Sequence, residues 1–364
     1  MDKPPKKSLS WHGTPLTRRS VLAGAAAVGA FLIVDFGAVA YANNWIAGGR
    51  RLTRADFIDL FRAVSGNHPG FRKNHAKGVA VTGYFDSNGD GCALSKAVVF
   101  AAGRTPVSGR FSLSGGDPDA ADTAGAARGL GLAFAFPDGS QWRTAMINLP
   151  VFPDNSPQGF YDRTLASKPV PSTGQPDPAA MSAFLAAHPE TKAAMAIIKT
   201  QPPTKGFADS TFRSLNTFFF VDDAGTRTPV RWSFVPQQDA APPKTGEPDM
   251  LFDALIRQMQ TGPLQWKLVL TVGTPDDPVT DPTLPWPGDR RTVDAGTLTL
   301  TTIEADQPGN ARDINFDPLV LPEGIEPSDD PLLSARSAVY AASYRARTSE
   351  PQSPATVQVN EVTS

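Results

Sequence analysis

Short stretches in which hydrophobic and polar residues alternate follow one another through the middle of the chain. Residues 78–85 and 128–136 are two of them, and clusters of turn-forming residues at 86–91 and 115–119 lie between. Because the side chains of a strand point alternately to its two faces, this pattern predicts antiparallel hairpins. Similar segments recur at 214–221, 230–235, 266–272 and 296–303. The pattern predicts a large antiparallel sheet or closed barrel with insertions.

Three other stretches have the hydrophobic spacing of helices. These are residues 179–199, 248–259 and 330–347. The last of them follows a proline-rich segment, and Asp329 or Asp330 can cap it ahead of Pro331 at the first helical position. Strands with helices inserted among them predict an α+β fold whose last helix is at the C-terminal end.

The N-terminal 42 residues differ from the rest of the chain. Arg18 and Arg19 precede an uninterrupted hydrophobic run at 21–34, and small residues follow it. This order is typical of an export signal, and the arginine pair is similar to a twin-arginine signal. The run has 14 residues, whereas a membrane-spanning helix needs about 20. We expect an exported, periplasmic protein; an uncleaved segment that anchors it to the membrane is the alternative.

The rest of the chain consists of one long patterned segment and a short C-terminal segment. Residues 43–348 contain all the strand and helix patterns, and we expect them to form one domain. The composition becomes polar in residues 349–364. We expect this last segment to be a flexible tail.

Composition excludes several classes of function. With 35 Pro and 31 Gly, the chain has too many turns for long helical bundles. A net charge of −2 offers nothing that attracts nucleic acid. The single cysteine, Cys92, and four scattered histidines provide no zinc-type spacing. A bound metal would therefore need another type of ligand.

One histidine lies in a distinctive segment at the start of the first strand. The sequence RKNHAKG occupies residues 72–78 and contains His75. An imidazole, whose ordinary pKa is about 6.5, can take a proton from one oxygen of a peroxide and return it to the other near neutral pH. A lone histidine at such a place is more often structural, so the surrounding residues decide between the two interpretations.

Three separated segments resemble the haem catalases in the same order, and the resemblance covers nearly all of residues 55–347. The first is residues 72–78, followed by GYF at 83–85. The second consists of RTPV at 104–107, RFS at 110–112, ADT at 121–123, RG at 128–129 and LPVF at 149–152. The third contains FDP at 316–318, PEGIEPS at 322–328 and RSAVY at 336–340.

The resemblance implies a catalase-like closed antiparallel β-barrel that encloses one face of a haem, with a helix that supplies the haem ligand on the other face. His75 would be the catalytic residue on the distal side, hydrogen-bonded by Ser112. Tyr340 would bind the iron. Arg336 lies four residues before Tyr340 and so on the same face of the helix, where its charge favours the phenolate.

The implied cofactor is haem of the b type, with its iron. Arg72 and Arg110 would contact its propionates, because a guanidinium binds carboxylates in bidentate fashion. Arg347 keeps the position of a later catalase arginine, and Arg336 is also expected at the cofactor. Phe152 and Phe160 would line the haem face.

The chain departs from the catalases at two places. Catalases have NNTP where residues 147–150 read INLP. Ile147 falls on the position of the distal asparagine, and the sequence leaves open whether Asn148 reaches the peroxide. Tyr344 stands where catalases have a histidine, which leaves its contact with a propionate open. The first departure favours peroxidase activity over rapid disproportionation of hydrogen peroxide.

We therefore expect an oxidoreductase, a catalase-related peroxidase that reduces organic peroxides through an oxidised state of the haem iron. Its partners would be a peroxide and a small-molecule electron donor, with no nucleic acid and no stable membrane insertion. A true catalase, a haem hydroperoxide isomerase and a non-enzymatic haem-binding barrel are the alternatives. The short extensions around the core predict a monomer or dimer.

Overall fold

The computed structural model describes residues 10–11, 14–15, 52–123 and 125–362. The chain divides into two units, residues 1–52 and 53–364. In the first unit, β1 (Ser10–Trp11) and β2 (Thr14–Pro15) pair as short antiparallel strands. The rest of the predicted export segment, residues 1–42, lies outside the described residues. Within the described parts of the chain, no helix has the length and hydrophobicity needed to cross a membrane.

Ten strands of the second unit form one antiparallel sheet. Eight of them close into a barrel in the order β10-β11-β3-β4-β5-β6-β7-β9, and pairing of β9 with β10 completes the circle. The strands are β3 (Gly78–Ser87), β4 (Gly103–Leu113), β5 (Arg128–Ala135), β6 (Gln141–Ile147), β7 (Phe212–Arg213), β8 (Phe218–Val221), β9 (Arg227–Pro236), β10 (Leu264–Val272), β11 (Thr292–Ala305) and β12 (Ile325–Pro327).

Helices lie between and after the strands, so the α+β fold with a closed antiparallel barrel is confirmed. They are α1 (Arg54–Ser65), α2 (Pro157–Ala166), α3 (Pro178–Ala187), α4 (Pro189–Thr200), α5 (Met250–Thr261) and α6 (Pro331–Ser349). Asp330 caps α6, because its carboxylate accepts a hydrogen bond from the Leu332 amide at 2.9 Å. Of the two predicted caps, the structure selects the second.

Large aromatic side chains fill the barrel interior. The rings of Phe134 and Trp142 stack with centroids 4.8 Å apart, and Trp232 meets Trp142 edge-on at 5.2 Å. Because side chains alternate along a strand, the neighbours of these residues point outward. The barrel core is therefore packed, and the cavity that could hold a cofactor lies against the outer face of the barrel rather than inside it.

Two predicted elements differ in the structure. The helix predicted at 179–199 breaks at His188, because the residue before a proline disfavours the helical conformation and Pro189 begins a new helix. Of the strand predicted at 214–221, only residues 218–221 form a strand, β8, because the chain turns at Leu215, whose φ is 60°.

The segment that follows α6 makes specific contacts. Glu350 accepts hydrogen bonds from Lys73 Nζ at 2.6 Å and from the Gly70 amide at 2.8 Å. Val357 is 1% exposed and belongs to the core. Residues 350–362 thus pack on the domain, in contrast to the flexible tail expected for 349–364, because the acidic Glu350 meets the basic Lys73 and Arg62.

We predict that Glu350→Gln lowers the free energy of unfolding by about 1–3 kcal/mol at pH 7, because the buried Lys73 loses its charged partner. Burial raises the pKa of Glu350, but the hydrogen bonds from Lys73, the Gly70 amide and Arg62, together with the charge of Lys73, outweigh burial and hold that pKa below its usual range. The stabilisation is therefore present above the ordinary glutamate pKa and is lost as the pH falls below it.

Urea unfolding measures this difference. Glu361→Gln is the matched control, because Glu361 is exposed and the same change there should leave stability unaltered. Equal stability of the wild type and Glu350→Gln across the pH range would contradict the prediction.

Candidate functional site

A cavity of about 310 Å³ lies between the outer face of the barrel and helices α1, α2 and α6. One wall is a row of directly paired residues that crosses four neighbouring strands. Ser112 pairs with Gly129, Gly129 with Ile147, and Ile147 with Arg213. Because directly paired residues of antiparallel strands point to the same face, all four line the cavity together.

Glycines make this wall flat. A Cβ at Gly131 would lie 2.7 Å from the Phe316 ring, and one at Gly129 would lie 2.9 Å from Ser112 Oγ and 3.2 Å from His75 Nδ1. Neither position can accept a side chain without displacing a neighbour. The wall therefore leaves room for a flat group close to the backbone.

His75 is held in a strained conformation at the edge of this wall. Its φ is 58°, a value that residues with side chains seldom adopt and that is found mostly at functional sites. Its amide donates to Asn74 Oδ1 at 3.0 Å, and its carbonyl accepts from Arg110 at 2.8 Å. Its Nδ1 is hydrogen-bonded to Ser112 Oγ at 3.1 Å. His75 and Ser112 thus form the hydrogen bond that the sequence analysis predicts.

The imidazole of His75 is neutral near pH 7. Burial, first of all, and the positive charges of Arg110, Arg72 and Arg336 together lower its pKa to about 4. A neutral imidazole has one nitrogen that can accept a proton. His75 can therefore act as a base well below pH 6.5.

The cavity is strongly electropositive. Five arginines line it, and none of its lining residues within the described chain is an aspartate or glutamate. Two of the five form ion pairs with carboxylates that do not line the cavity, Arg110 with Asp306 and Arg163 with Asp154. The five arginines are Arg72, Arg110, Arg163, Arg213 and Arg336.

Arg72 lies beside a second buried arginine. Arg72 donates to the carbonyls of Arg312 and Ile314, and Arg347 donates to the same two carbonyls. Burial lowers the pKa of Arg72 well below its usual range, and repulsion by Arg347 and Arg110 adds to this. Arg347 does not line the cavity but lies behind Arg72, and its buried Nε has no hydrogen-bond partner among the described residues. Neither arginine has an ion pair among the described residues, and Asp306 and Asp313 offset their charges only from farther away.

Tyr340 lines the cavity from α6, and Arg336 lies one turn before it. The Arg336 guanidinium donates to the Ala145 carbonyl at 2.7 Å and to Asn216 Oδ1, and it is 3.5 Å from the Tyr340 hydroxyl. Asn216 in turn donates to Asp330 at 2.7 Å. The predicted pair is present, and a hydrogen-bonded chain fixes its arginine.

Phe152 and Phe160 form an aromatic wall. Their rings stack at 6.1 Å with an angle of 15°, and Phe61 of α1 meets Phe160 edge-on at 6.2 Å. Both predicted phenylalanines line the cavity. A flat hydrophobic group is thus favoured on this side.

Asn148 does not line the cavity, which answers the question that the sequence left open. Its Oδ1 accepts a hydrogen bond from the Arg128 amide at 2.8 Å, and the side chain is buried. Ile147 lines the cavity instead. Tyr344 is also absent from the lining, and its ring lies 4.8 Å from the Arg347 guanidinium.

Sequence reasoning missed several polar side chains of the cavity, among them Arg163, Arg213 and Asn216. Arg163 and Arg213 belong to no motif that could have indicated them. For Asn216 the spacing gave no signal either, because its partner Arg336 is 120 residues away in the chain. The alternation Gly129-Leu130-Gly131, in contrast, was visible and indicates close approach to the backbone.

Comparison with known proteins gives consistent matches. A family model described as Catalase matches residues 57–363. A "Catalase-related peroxidase" of Synechococcus elongatus is 42% identical over 303 residues, which cover 82% of this chain and 89% of that protein. Another, of Mycolicibacterium paratuberculosis, is 30% identical over 309 residues, which cover 83% of this chain and 96% of that protein.

Longer proteins match with lower identity. The catalase of Rattus norvegicus is 28% identical over 298 residues, covering 75% of this chain but only 55% of that protein. Among solved structures, a bacterial catalase has a TM-score of 0.67 and 23% identity, covering 77% of this chain and 58% of that one. Catalase A from Saccharomyces cerevisiae also has a TM-score of 0.67, with 21% identity and coverages of 95% and 68%. These structures are similar in fold.

We predict that Gly129→Ala lowers the free energy of unfolding by about 1–3 kcal/mol, because the added methyl group collides with Ser112 and His75. Gly288→Ala is the matched control, since a Cβ at Gly288 has no atom within 4 Å. Urea unfolding of both variants measures the effect. The prediction is wrong if the two substitutions have equal effects.

Proposed function

The chain belongs to the catalase family, and we propose that it is a haem-dependent peroxidase that reduces organic peroxides with the help of an electron donor. The observation that carries this proposal is that one cavity is lined both by the neutral base His75 and by Tyr340 with its adjacent arginine. On the cavity wall, the hydrophobic Ile147 lies two strands from Ser112, next to Gly129.

The residues of the cavity fit a haem. Its carboxylates would match the positive charge of Arg72, which lines the cavity, and of Arg347 behind it, and neither arginine has an ion pair among the described residues. Arg110 would add to that charge, although Asp306 and the carbonyls of residues 75 and 76 already occupy its donors.

The shape of the cavity also suits a flat ring. Gly129 and Gly131 keep one wall free of side chains, and Phe152 and Phe160 provide an aromatic surface. We propose haem b, whose iron would be bound by the Tyr340 oxygen.

Tyr340 would bind the iron through its side-chain oxygen, and the Arg336 guanidinium lies 3.5 Å from that oxygen. Asn216 and the Ala145 carbonyl hold the guanidinium in place, so the charge stays near the Tyr340 oxygen. Arg336 would thus act through Tyr340 rather than on the peroxide.

When bound, the haem iron would supply the redox chemistry that cleaves the oxygen–oxygen bond of a peroxide. His75 takes the proton from one peroxide oxygen and returns it to the other, which leaves as part of an alcohol. Ser112 keeps the imidazole in position through its hydrogen bond to Nδ1. Over the cycle, the peroxide, two electrons and two protons yield an alcohol and water, and the electrons come from the donor.

Ile147 supports a peroxidase more than a catalase. Disproportionation requires a second hydrogen peroxide to bind and act as the donor, and an isoleucine offers it no hydrogen bond. A hydrophobic surface in that place is compatible with the organic part of a larger peroxide.

We also propose that the protein is exported to the periplasm. The arginine pair at 18–19 and the hydrophobic run at 21–34 support this. The oligomeric state, expected to be a monomer or dimer, stays a prediction that light scattering of the purified protein can test.

We predict that the haem-loaded protein oxidises an aromatic donor with an organic hydroperoxide faster than it releases oxygen from hydrogen peroxide. Ile147→Asn should raise oxygen release by roughly tenfold or more, since one well-placed hydrogen-bond donor changes rates by ~10²–10³. Ile197→Asn, on α4 and outside the cavity lining, is the control. Rapid oxygen release by the wild type, unaffected by either substitution, would refute the peroxidase assignment.

We predict that the acid limb of the kcat/KM profile lies near pH 4. The pKa of His75 is lowered to about 4, so the base form persists until the pH falls to that value. His75→Gln should remove this limb together with most of the activity. A circular dichroism spectrum at pH 4.5 checks that the protein is folded. An acid limb near pH 6.5 would contradict the prediction.

A further inference from the structure

Arg213 is the cavity arginine with the weakest set of partners. It is the outward-facing residue of β7, and among the described residues its guanidinium donates only to the carbonyls of Thr211 at 3.4 Å and Asn148 at 3.5 Å. No carboxylate of the described chain lies within ion-pair distance of it, in contrast to Arg110 and Arg163. Carbonyl groups at these distances leave its positive charge largely uncompensated.

The charge of Arg213 is also partly removed from water. Burial alone lowers the pKa of Arg213, and no neighbouring acidic group raises it. An arginine nevertheless remains protonated in proteins. A partly buried cation without an anion is unfavourable, and a ligand that brings an anion into the cavity relieves this cost.

The position of Arg213 relates it to His75. It lies in the same row of paired residues as Ser112, three strands farther along the sheet, with Ile147 between them. Neighbouring strands are about 4.8 Å apart, so the two backbone positions are at most roughly 14 Å apart along the wall. Ser112 is hydrogen-bonded to His75. The row therefore runs from Ser112, which holds the base His75, past the hydrophobic Ile147 to the cation Arg213.

The haem would not require Arg213. Its carboxylates match Arg72 and Arg347, which meet at the carbonyls of residues 312 and 314. Arg110 lies on β4, three strands away from β7. Arg213 is thus a cation in excess of those assigned to the cofactor.

We propose that Arg213 binds a carboxylate of the peroxide substrate, so that the preferred substrates are organic hydroperoxides with a carboxylate at the opposite end from the peroxide group. The proposal rests on the peroxidase function above and specifies its substrate class. The planar guanidinium binds a carboxylate through two parallel hydrogen bonds. Ile147 contacts the carbon chain between the two polar ends, and the peroxide group reaches His75.

The peroxide is the better candidate than the electron donor for this carboxylate. The row leads to Ser112 and His75, where the proton is transferred, and only the peroxide has to reach that point. An anionic donor can deliver electrons without entering the row. The experiment below distinguishes a carboxylate on the peroxide from a carboxylate on the electron donor.

The kinetic test compares a hydroperoxide of a carboxylic acid with the methyl ester of the same compound, using haem-loaded protein. For Arg213→Gln we expect the KM of the acid to rise by roughly 10–100-fold, the range for a lost charge-assisted hydrogen bond, while the KM of the ester and both kcat values stay within about twofold. Arg213→Lys should recover part of the preference, because it restores the charge without the planar fork.

Arg104→Gln is the matched control. Arg104 is exposed, pairs with Asp86 at the other end of β4 and does not line the cavity. The substitution Arg104→Gln removes the same charge from the protein but leaves the row from Ser112 to Arg213 unchanged. Neither KM should change, and the absorption spectra of all variants should show equal haem content.

A second measurement does not depend on turnover. Calorimetry should show that the haem-loaded wild type binds a peroxide-free carboxylate of similar length more tightly than its primary amide, and that Arg213→Gln abolishes this difference. If the wild type reduces no peroxide yet shows this Arg213-dependent binding, the anion site stands and the peroxidase function fails.

Three results would overturn the inference. One is an equal change in the KM of acid and ester, which would indicate a structural role for Arg213. Another is a change confined to the KM of an anionic electron donor. The third is equal binding of carboxylate and amide by the wild type, even with a fully active peroxidase.

Discussion

Positive charge that the chain does not neutralise is the constraint on which the rest of this structure depends. Five arginines line one cavity, and no lining residue of the described chain carries a negative charge. Burial and mutual repulsion hold the pKa of Arg72 well below its usual range. Such an arrangement is unfavourable by itself and becomes favourable when anionic ligands enter. The cavity is therefore built for a ligand that carries carboxylates.

The same charge prepares His75 for its role. Arg110 holds the carbonyls of residues 75 and 76, so the left-handed conformation of His75 is fixed by the residue whose charge also lowers the histidine's pKa. Asp306 keeps Arg110 in this orientation. Arg110 thus fixes the geometry of His75 and also contributes, after burial, to its lowered pKa. Strain at such a point is typical of functional residues whose surroundings determine their position.

The barrel, the last helix and those cavity residues that lie in motifs, such as His75 and Tyr340, could be predicted from the sequence, because hydrophobic alternation, helix caps and short motifs are local signals. The location of the cavity could not be predicted in this way. Whether Phe134 points inward and Arg213 outward depends on how eight strands close, and strand pairing joins residues far apart in the chain. The same holds for Asn216, whose contact with Arg336 arises only in the folded chain.

Binding of iron by the Tyr340 oxygen is the central claim, and one absorption measurement tests it most directly. Purified wild-type protein, as isolated or after titration with hemin, should bind one haem per chain and show the spectrum of high-spin ferric haem with an oxygen ligand. Tyr340→Phe should alter that spectrum, whereas Tyr344→Phe should leave it unchanged. A protein that binds no hemin, or a Tyr340→Phe spectrum identical to that of the wild type, would contradict the account.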